Sequence, residues 1–136
     1  MTDTGSATWP ISIDAITLFV EDLAETKRWY AAFFARPPVF EDENSVVFGI
    51  GDLVVNLLHT SAVPELIEPA TAAPRSAGSG VVFTLAVADV DSMAAELEGR
   101  GAGILNGPMD RPWGIRTASF QDPDGHVWEI ARKIEA

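Results

Sequence analysis

Two stretches of this chain match each other at a fixed spacing. Thr17-Leu18 and Val20-Glu21-Asp22-Leu23 fall on Thr84-Leu85 and Val87-Ala88-Asp89-Val90, 67 residues further on. In both, an apolar strand-like run ends at an Asp suited to cap a helix N-terminus. Such a repeat constrains folding more than any single strand assignment. Each copy is one supersecondary unit, and neither covers its apolar face alone.

The first copy reads in order as strand, helix and three strands. Ile16 to Val20 is apolar and β-prone, and Asp22 caps a helix with Glu25 three residues on. That helix runs to about Ala35, where Pro37-Pro38 stop it, and Leu23, Trp29, Tyr30, Phe33 and Phe34 form its buried stripe. Val39-Phe40, Ser45 to Ile50 and Leu53 to His59 are the next strands, the last two joined by a Gly51-Asp52 hairpin turn. Ser61 to Ser79 is a linker without periodicity, holding Pro64, Pro69, Pro74 and Gly78, and is either a flexible joint or a loop over a site. From Gly80 the pattern returns. Phe83 to Val87 is a strand, Asp89 a cap, Val90 to Gly99 a helix and Gly101 its stop. Ile104-Leu105, Ile115 to Gln121 and His126 to Lys133 are strands. The expected fold is α+β, two tandem βαβββ units in one domain over 1–136: 11–60 the first unit, 61–79 the linker and 80–135 the second.

The final hairpin carries the most chemistry. Asp122-Pro123-Asp124-Gly125 has the residues a tight turn requires. In the strand after it, Val127, Glu129 and Ala131 share one face and Trp128 and Ile130 the other. A carboxylate between a valine and an alanine needs a cation, a metal or a hydrogen-bonding ligand.

Composition excludes several roles. The net charge of −11 argues against nucleic acid and against anionic membrane as partners. No apolar run approaches the roughly 20 residues of a membrane span. Met1 to Trp9 lacks the charged and apolar regions of a signal peptide. Cysteine is absent, which excludes disulfides and thiolate chemistry and fits a cytoplasmic location.

The repeat, the helix entries and Phe120-Gln121-Asp122-Pro123-Asp124-Gly125-His126-Val127-Trp128-Glu129 resemble the vicinal oxygen chelate superfamily, the glyoxalase I, bleomycin-resistance and extradiol-dioxygenase group, over about residues 11 to 134. The resemblance implies two units that curl their sheets into a cup, with the site inside it. Metal-bearing members place ligands in the first and last strand of each unit. Those points fall here on Ala15, Asn56, Val82 and Glu129. Two are hydrocarbon and one is an amide, so the expectation is no metal and no other cofactor, a divalent metal being the alternative.

Alternation fills the cup. Ile16, Leu18 and Val20 are expected to pack on the helix, leaving Ala15, Thr17 and Phe19 inward. Val82, Thr84 and Ala86 match them in the second unit, and Val54, Asn56 and Leu58 share the inner face of their strand. Arg116, Ala118 and Phe120 are expected to face inward with Val127 and Glu129. Arg116 and Glu129 then form either an ion pair or a joint ligand contact. Trp113, between Pro112 and Gly114, either plugs the rim or stacks on a planar ligand. Trp29 and Trp128 are assigned to packing, and His59 and His126 to the surface.

The resulting expectation is a homodimeric, metal-free protein that binds a small aromatic or hydrophobic molecule, for sequestration or antibiotic resistance. The ligand contacts are Thr17, Phe19, Asn56, Leu58, Thr84, Trp113, Arg116, Phe120 and Glu129. The rival is an enzyme: a glyoxalase-like lyase, an isomerase or a dioxygenase. It is metal-dependent if the ligand alignment is wrong, and otherwise uses Glu129 for acid–base catalysis.

Overall fold

In the computed structural model, which describes residues 12–135, both predicted caps form. Asp22 Oδ1 accepts the Glu25 N–H at 3.0 Å and Asp89 Oδ1 accepts the Ser92 N–H at 3.0 Å. They start α1 (Leu23–Phe33) and, in the second unit, α3 (Val90–Gly99). The leader-free reading of Met1 to Trp9, and the start of the first unit at residue 11, lie outside the described residues.

The strands of the first unit are β1 (Ala15–Val20), β2 (Phe40–Glu41), β3 (Ser45–Ile50) and β4 (Leu53–His59). Those of the second are β5 (Val82–Ala86), β6 (Ile104–Asp110), β7 (Ile115–Gln121) and β8 (Val127–Lys133). Each unit makes one four-stranded sheet, in the orders β1-β4-β3-β2 and β5-β8-β7-β6. In each, the first strand pairs parallel with the last and the other pairings are antiparallel. The duplicated βαβββ fold is therefore present as the repeat predicts.

Alternation decides what is buried. Leu18, Val20, Val46, Phe48, Val55 and Leu57 point to the helix side of the first sheet, and Ala118, Phe120, Trp128 and Ile130 to that of the second; all are buried. The helical stripe brings aromatic rings between them. Phe33 meets both Phe120 and Trp128 with ring centroids 5.9 Å apart, and Trp29 stacks on Phe33 at 4.7 Å. One apolar core thus joins the two units.

Local differences from the sequence reading have simple causes. The first helix stops at Phe33, and Ala35 adopts φ 54°, so the chain turns before it reaches the prolines. β6 is longer than Ile104-Leu105 because it pairs with β7 through two register shifts. Gly107 lies within the second, between Asn106 and Met109, at φ 86°, where a Cβ would collide with the Thr117 carbonyl oxygen.

The linker is more ordered than its composition implies. It holds a short helix α2 (Val63–Ile67) and a turn over Arg75–Ala77. Arg75 fastens it: Nε donates to Asp124 Oδ1, Nη2 to Glu25 Oε1 and the backbone N–H to Glu21 Oε2, each at 2.9 Å. One side chain thereby ties the connection to the start of α1 and to the β7–β8 turn.

Candidate functional site

The register of the last hairpin overturns part of the expected cup. Gln121 pairs with Val127, so Phe120 stands opposite Trp128, Ala118 opposite Ile130 and Arg116 opposite Arg132. All of these lie on the helix side. Phe120 is fully buried in the core, and Arg116 reaches α3, donating from Nε and Nη2 to Asp91, and from Nη1 to Asp110 of β6. Neither residue faces the inner side with Glu129, and the expected Arg116–Glu129 pair is not formed. A shift of one residue in register exchanges the two faces of a strand, and the turn residues alone do not fix it. Trp113 is 67% exposed in the β6–β7 turn, beyond the Ile115–Lys133 pair. That pair is four residues along β8 from Glu129, about 13 Å at strand rise, so the structure does not bring this ring to the carboxylate.

The remaining expected residues do share the sheet faces turned away from the helices. In the first sheet Thr17 pairs with Asn56 and Phe19 with Leu58. In the second, Thr84 pairs with Glu129 at the equivalent point. There the Thr84 hydroxyl donates to Glu129 Oε1 at 2.9 Å. In the first sheet the buried Asn56 Oδ1 has no hydrogen-bond partner among the described residues.

On the inner face beside Glu129 lies a hollow of about 480 Å³, walled by Val82, Val127, Leu105, Asn106, Ser119 and the Ser79–Val81 segment. Ser119 is the cross-strand neighbour of Glu129, and Val127 is two residues before it on the same face. A cation on this side is Arg111, which the sequence reading passed over. Its Nε donates to Thr117 Oγ1 at 2.9 Å and its Nη2 to Asn106 Oδ1 at 2.7 Å. Thr117 and Ser119 alternate onto this face, so a guanidinium anchored to Thr117 sits near it.

A divalent ion of the kind the resemblance implies does not fit these residues. Ala15 and Val82 present hydrocarbon at two ligand points. Asn56 turns a buried oxygen at the third, and Glu129 at the fourth already accepts from Thr84. Among the described residues, no three His, Cys, Asp or Glu side chains stand close enough to hold a metal.

A second polar constellation lies where the final turn meets α1. Tyr30 O–H donates to Asp122 Oδ2 at 2.6 Å and accepts from Trp128 Nε1 at 2.8 Å. His126 Nδ1 lies 2.8 Å from the same Asp122 oxygen, while Oδ1 accepts the backbone N–H groups of Asp124 and His126. Burial works to raise the Asp122 pKa, but the hydrogen bonds from His126 and Tyr30 outweigh it and hold the carboxyl below its ordinary value. Burial, then the Asp122 charge, push the Tyr30 phenol well above its own. His126 is not the open surface residue expected: its side chain is 20% exposed and borders a hollow of about 190 Å³ with Phe19 and Arg75. The available signal was the spacing, since an Asp and a His four apart across a tight turn are positioned to meet.

A family model described as the Glyoxalase/Bleomycin resistance protein/Dioxygenase superfamily matches residues 12–130. No curated protein sequence matches the chain. Among solved structures, a glyoxalase-related enzyme from Fulvimarina pelagi is 25% identical with a TM-score of 0.73, over 88% of this chain and 86% of its own. A glyoxalase/bleomycin resistance protein/dioxygenase from Nocardioides is 20% identical with a TM-score of 0.82, over 96% and 88%. A lactoylglutathione lyase from Agrobacterium tumefaciens is 19% identical with a TM-score of 0.70, over 90% and 93%. At these identities the last two carry the fold and not the chemistry.

Proposed function

We propose that this chain, which belongs to the glyoxalase/bleomycin resistance protein/dioxygenase superfamily, binds a small aromatic or hydrophobic organic molecule on its inner sheet face without a metal, in a sequestration or resistance role. The observation that carries this reading is the hollow of about 480 Å³ beside Glu129. Its size falls within the roughly 300–1,000 Å³ of small-molecule sites, and its walls mix apolar side chains with a few polar groups. Val82, Val127 and Leu105 supply surface for an apolar ligand to cover. Asn106 and Ser119 supply hydrogen bonds from the wall. Glu129, next to Ser119 and outside the wall itself, has a second oxygen beyond the one that Thr84 occupies, for a ligand that extends that far. The donor set at the four expected ligand points supports the metal-free part of the proposal.

The test uses an uncharged aromatic fluorophore, N-phenyl-1-naphthylamine, titrated into purified protein. Saturable one-to-one binding is expected. Val82→Asp should weaken it at least tenfold with no loss of melting temperature, because Val82 is 53% exposed and its substitution disturbs no core. Unchanged binding in that variant refutes the location. Elemental analysis that finds about one tightly held ion per chain, released by Glu129→Gln, refutes the metal-free reading.

A further inference from the structure

We propose that His126 is the general base of a second site, which adjoins the inner-face hollow at the shared Ser79–Val81 segment but does not depend on the reading above, and which takes small uncharged esters and hydrolyses them with water. The site is the hollow of about 190 Å³ between the linker and the β7–β8 turn. Two observations carry the inference: the tautomer that the structure imposes on His126, and the make-up of the walls.

Asp122 is fully buried at its side chain and ionised, so it only accepts hydrogen bonds. The His126 Nδ1 facing it at 2.8 Å must therefore carry a proton, which leaves Nε2 of the neutral ring with its lone pair bare. Tyr30, its hydroxyl held in turn by Trp128 Nε1, donates to Asp122 from behind, so the carboxylate cannot rotate away without breaking that 2.6 Å bond. A base oriented by a buried carboxylate, which also stabilises the imidazolium formed during reaction, is the arrangement that hydrolytic His–Asp pairs use. The other histidine is built the opposite way. His59 Nδ1 accepts the Ser61 N–H at 3.1 Å, which puts the proton of its neutral ring on Nε2. It is an internal control.

The walls select the ligand class. Arg75 lines the hollow, but its guanidinium is committed to Asp124 and Glu25. Asp124 is likewise filled, accepting from Glu21 N–H and Arg75 on one oxygen and from Thr26 on the other. Among the described residues no free cation remains there to anchor an anionic ligand, and the Glu21 carboxylate on the same wall, which accepts only the Arg75 backbone N–H, repels one. Phe19, Pro74 and Val81 give apolar walls, and Thr60 a hydroxyl to meet a carbonyl oxygen. The volume is below that of drug-sized sites, so the ligand is small. In the reaction, the water oxygen bonds to the acyl carbon as Nε2 takes its proton. The ester C–O bond then breaks, and the alkoxy group leaves with the proton returned from Nε2. One ester and one water give one acid and one alcohol, with no further reactant.

The experiment follows release of 4-nitrophenol from 4-nitrophenyl acetate above the buffer rate. A positioned general base contributes about 10²–10⁴-fold, so His126→Gln should lower the protein-dependent rate at least tenfold and His59→Gln less than twofold. Equal losses in the two variants, or none in His126→Gln, overturn the proposal. His126 also braces the turn, so a second measurement uses the unaltered protein: carbethoxylation by diethyl pyrocarbonate, mapped by peptide mass spectrometry. A bare Nε2 should react first, at least tenfold faster at His126 than at His59. Slower or equal modification of His126 overturns it.

Discussion

Tyr30→Phe removes one oxygen and tests the buried network directly. That hydroxyl donates to the Asp122 carboxylate and accepts from Trp128 Nε1. A hydrogen bond to a charged group contributes about 1.5–3 kcal/mol, and a buried donor left without a partner costs about 1–3 kcal/mol. The two share an atom and do not add in full. Asp122 keeps His126 and two backbone N–H groups, so its charge is not abandoned. The expected loss is about 3 kcal/mol at pH 7, or about 10 °C in melting temperature for a domain of this size. The pH dependence adds a sharper test. The folded pKa of Tyr30 lies well above its ordinary value, so above about pH 10 the unfolded chain releases a proton that the folded one keeps. Its contribution is full below that pH and is lost as pH rises towards the folded pKa, by up to about 1.4 kcal/mol per unit. The phenylalanine variant has no such loss, so the two stability curves should converge on the alkaline side. Tyr30 is the sole tyrosine, so the rise in absorbance at 295 nm with pH reports it alone, over a background from the four tryptophans that does not titrate. Urea unfolding from pH 7 to 11 gives the energies. Tyrosinate absorbance appearing near pH 10 while far-UV circular dichroism stays native refutes the burial argument. So does a Tyr30→Phe protein as stable as its parent.

On the acid side, the lowered Asp122 pKa supplies stability that is present above its unfolded value of about 3.9 and lost as pH falls through the folded value. The melting temperature should therefore drop below about pH 4. Asp122→Asn should flatten that drop and, by breaking a buried charged network, cost at least about 3 kcal/mol at pH 7. Gly107→Ala and Gly114→Ala form a matched pair at φ 86° and 87°. The second meets no atom within 4 Å and should cost about 1–2 kcal/mol; the first drives a Cβ into Thr117 and Ala118 backbone and should cost more than about 3 kcal/mol by chemical denaturation. We also expect a homodimer that buries well over about 1,000 Å²; light scattering that gives a monomer at micromolar concentration refutes this.

What the sequence made legible was local. Asp22, Asp89 and Gly101 act within a few residues of themselves, and each holds the place its type predicts. The repeat carried the topology because two copies of one pattern leave few ways to cover both apolar faces. What it hid was parity and distance. Asp-Pro-Asp-Gly announces a turn, but not that Gln121 and Val127 close it, and one residue of difference sent Arg116 and Phe120 to the wrong face. Volume held a clue: Phe120 and Trp128 are both large and apolar, and placing them opposite each other gives both a core to enter. The Tyr30–Asp122 bond spans 92 residues, and no spacing rule reaches that far. Arg111 and Arg116 are equally plausible inner cations in sequence; only the chain's path decides between them.

The outer edges of the two sheets bear on how copies of this chain meet. An unprotected edge strand invites another to pair with it, and long fibres grow that way. Here β2 is two residues long, and β6 is broken by two register shifts and carries Pro108, which has no N–H to offer. Neither can template a neighbour. The opposite edge of the second sheet is less guarded, since Val81 and Val82 stand 45% and 53% exposed where β5 begins. If concentrated protein associates by strand addition, growth starts there, and a lysine at Val81 is the substitution with which to stop it.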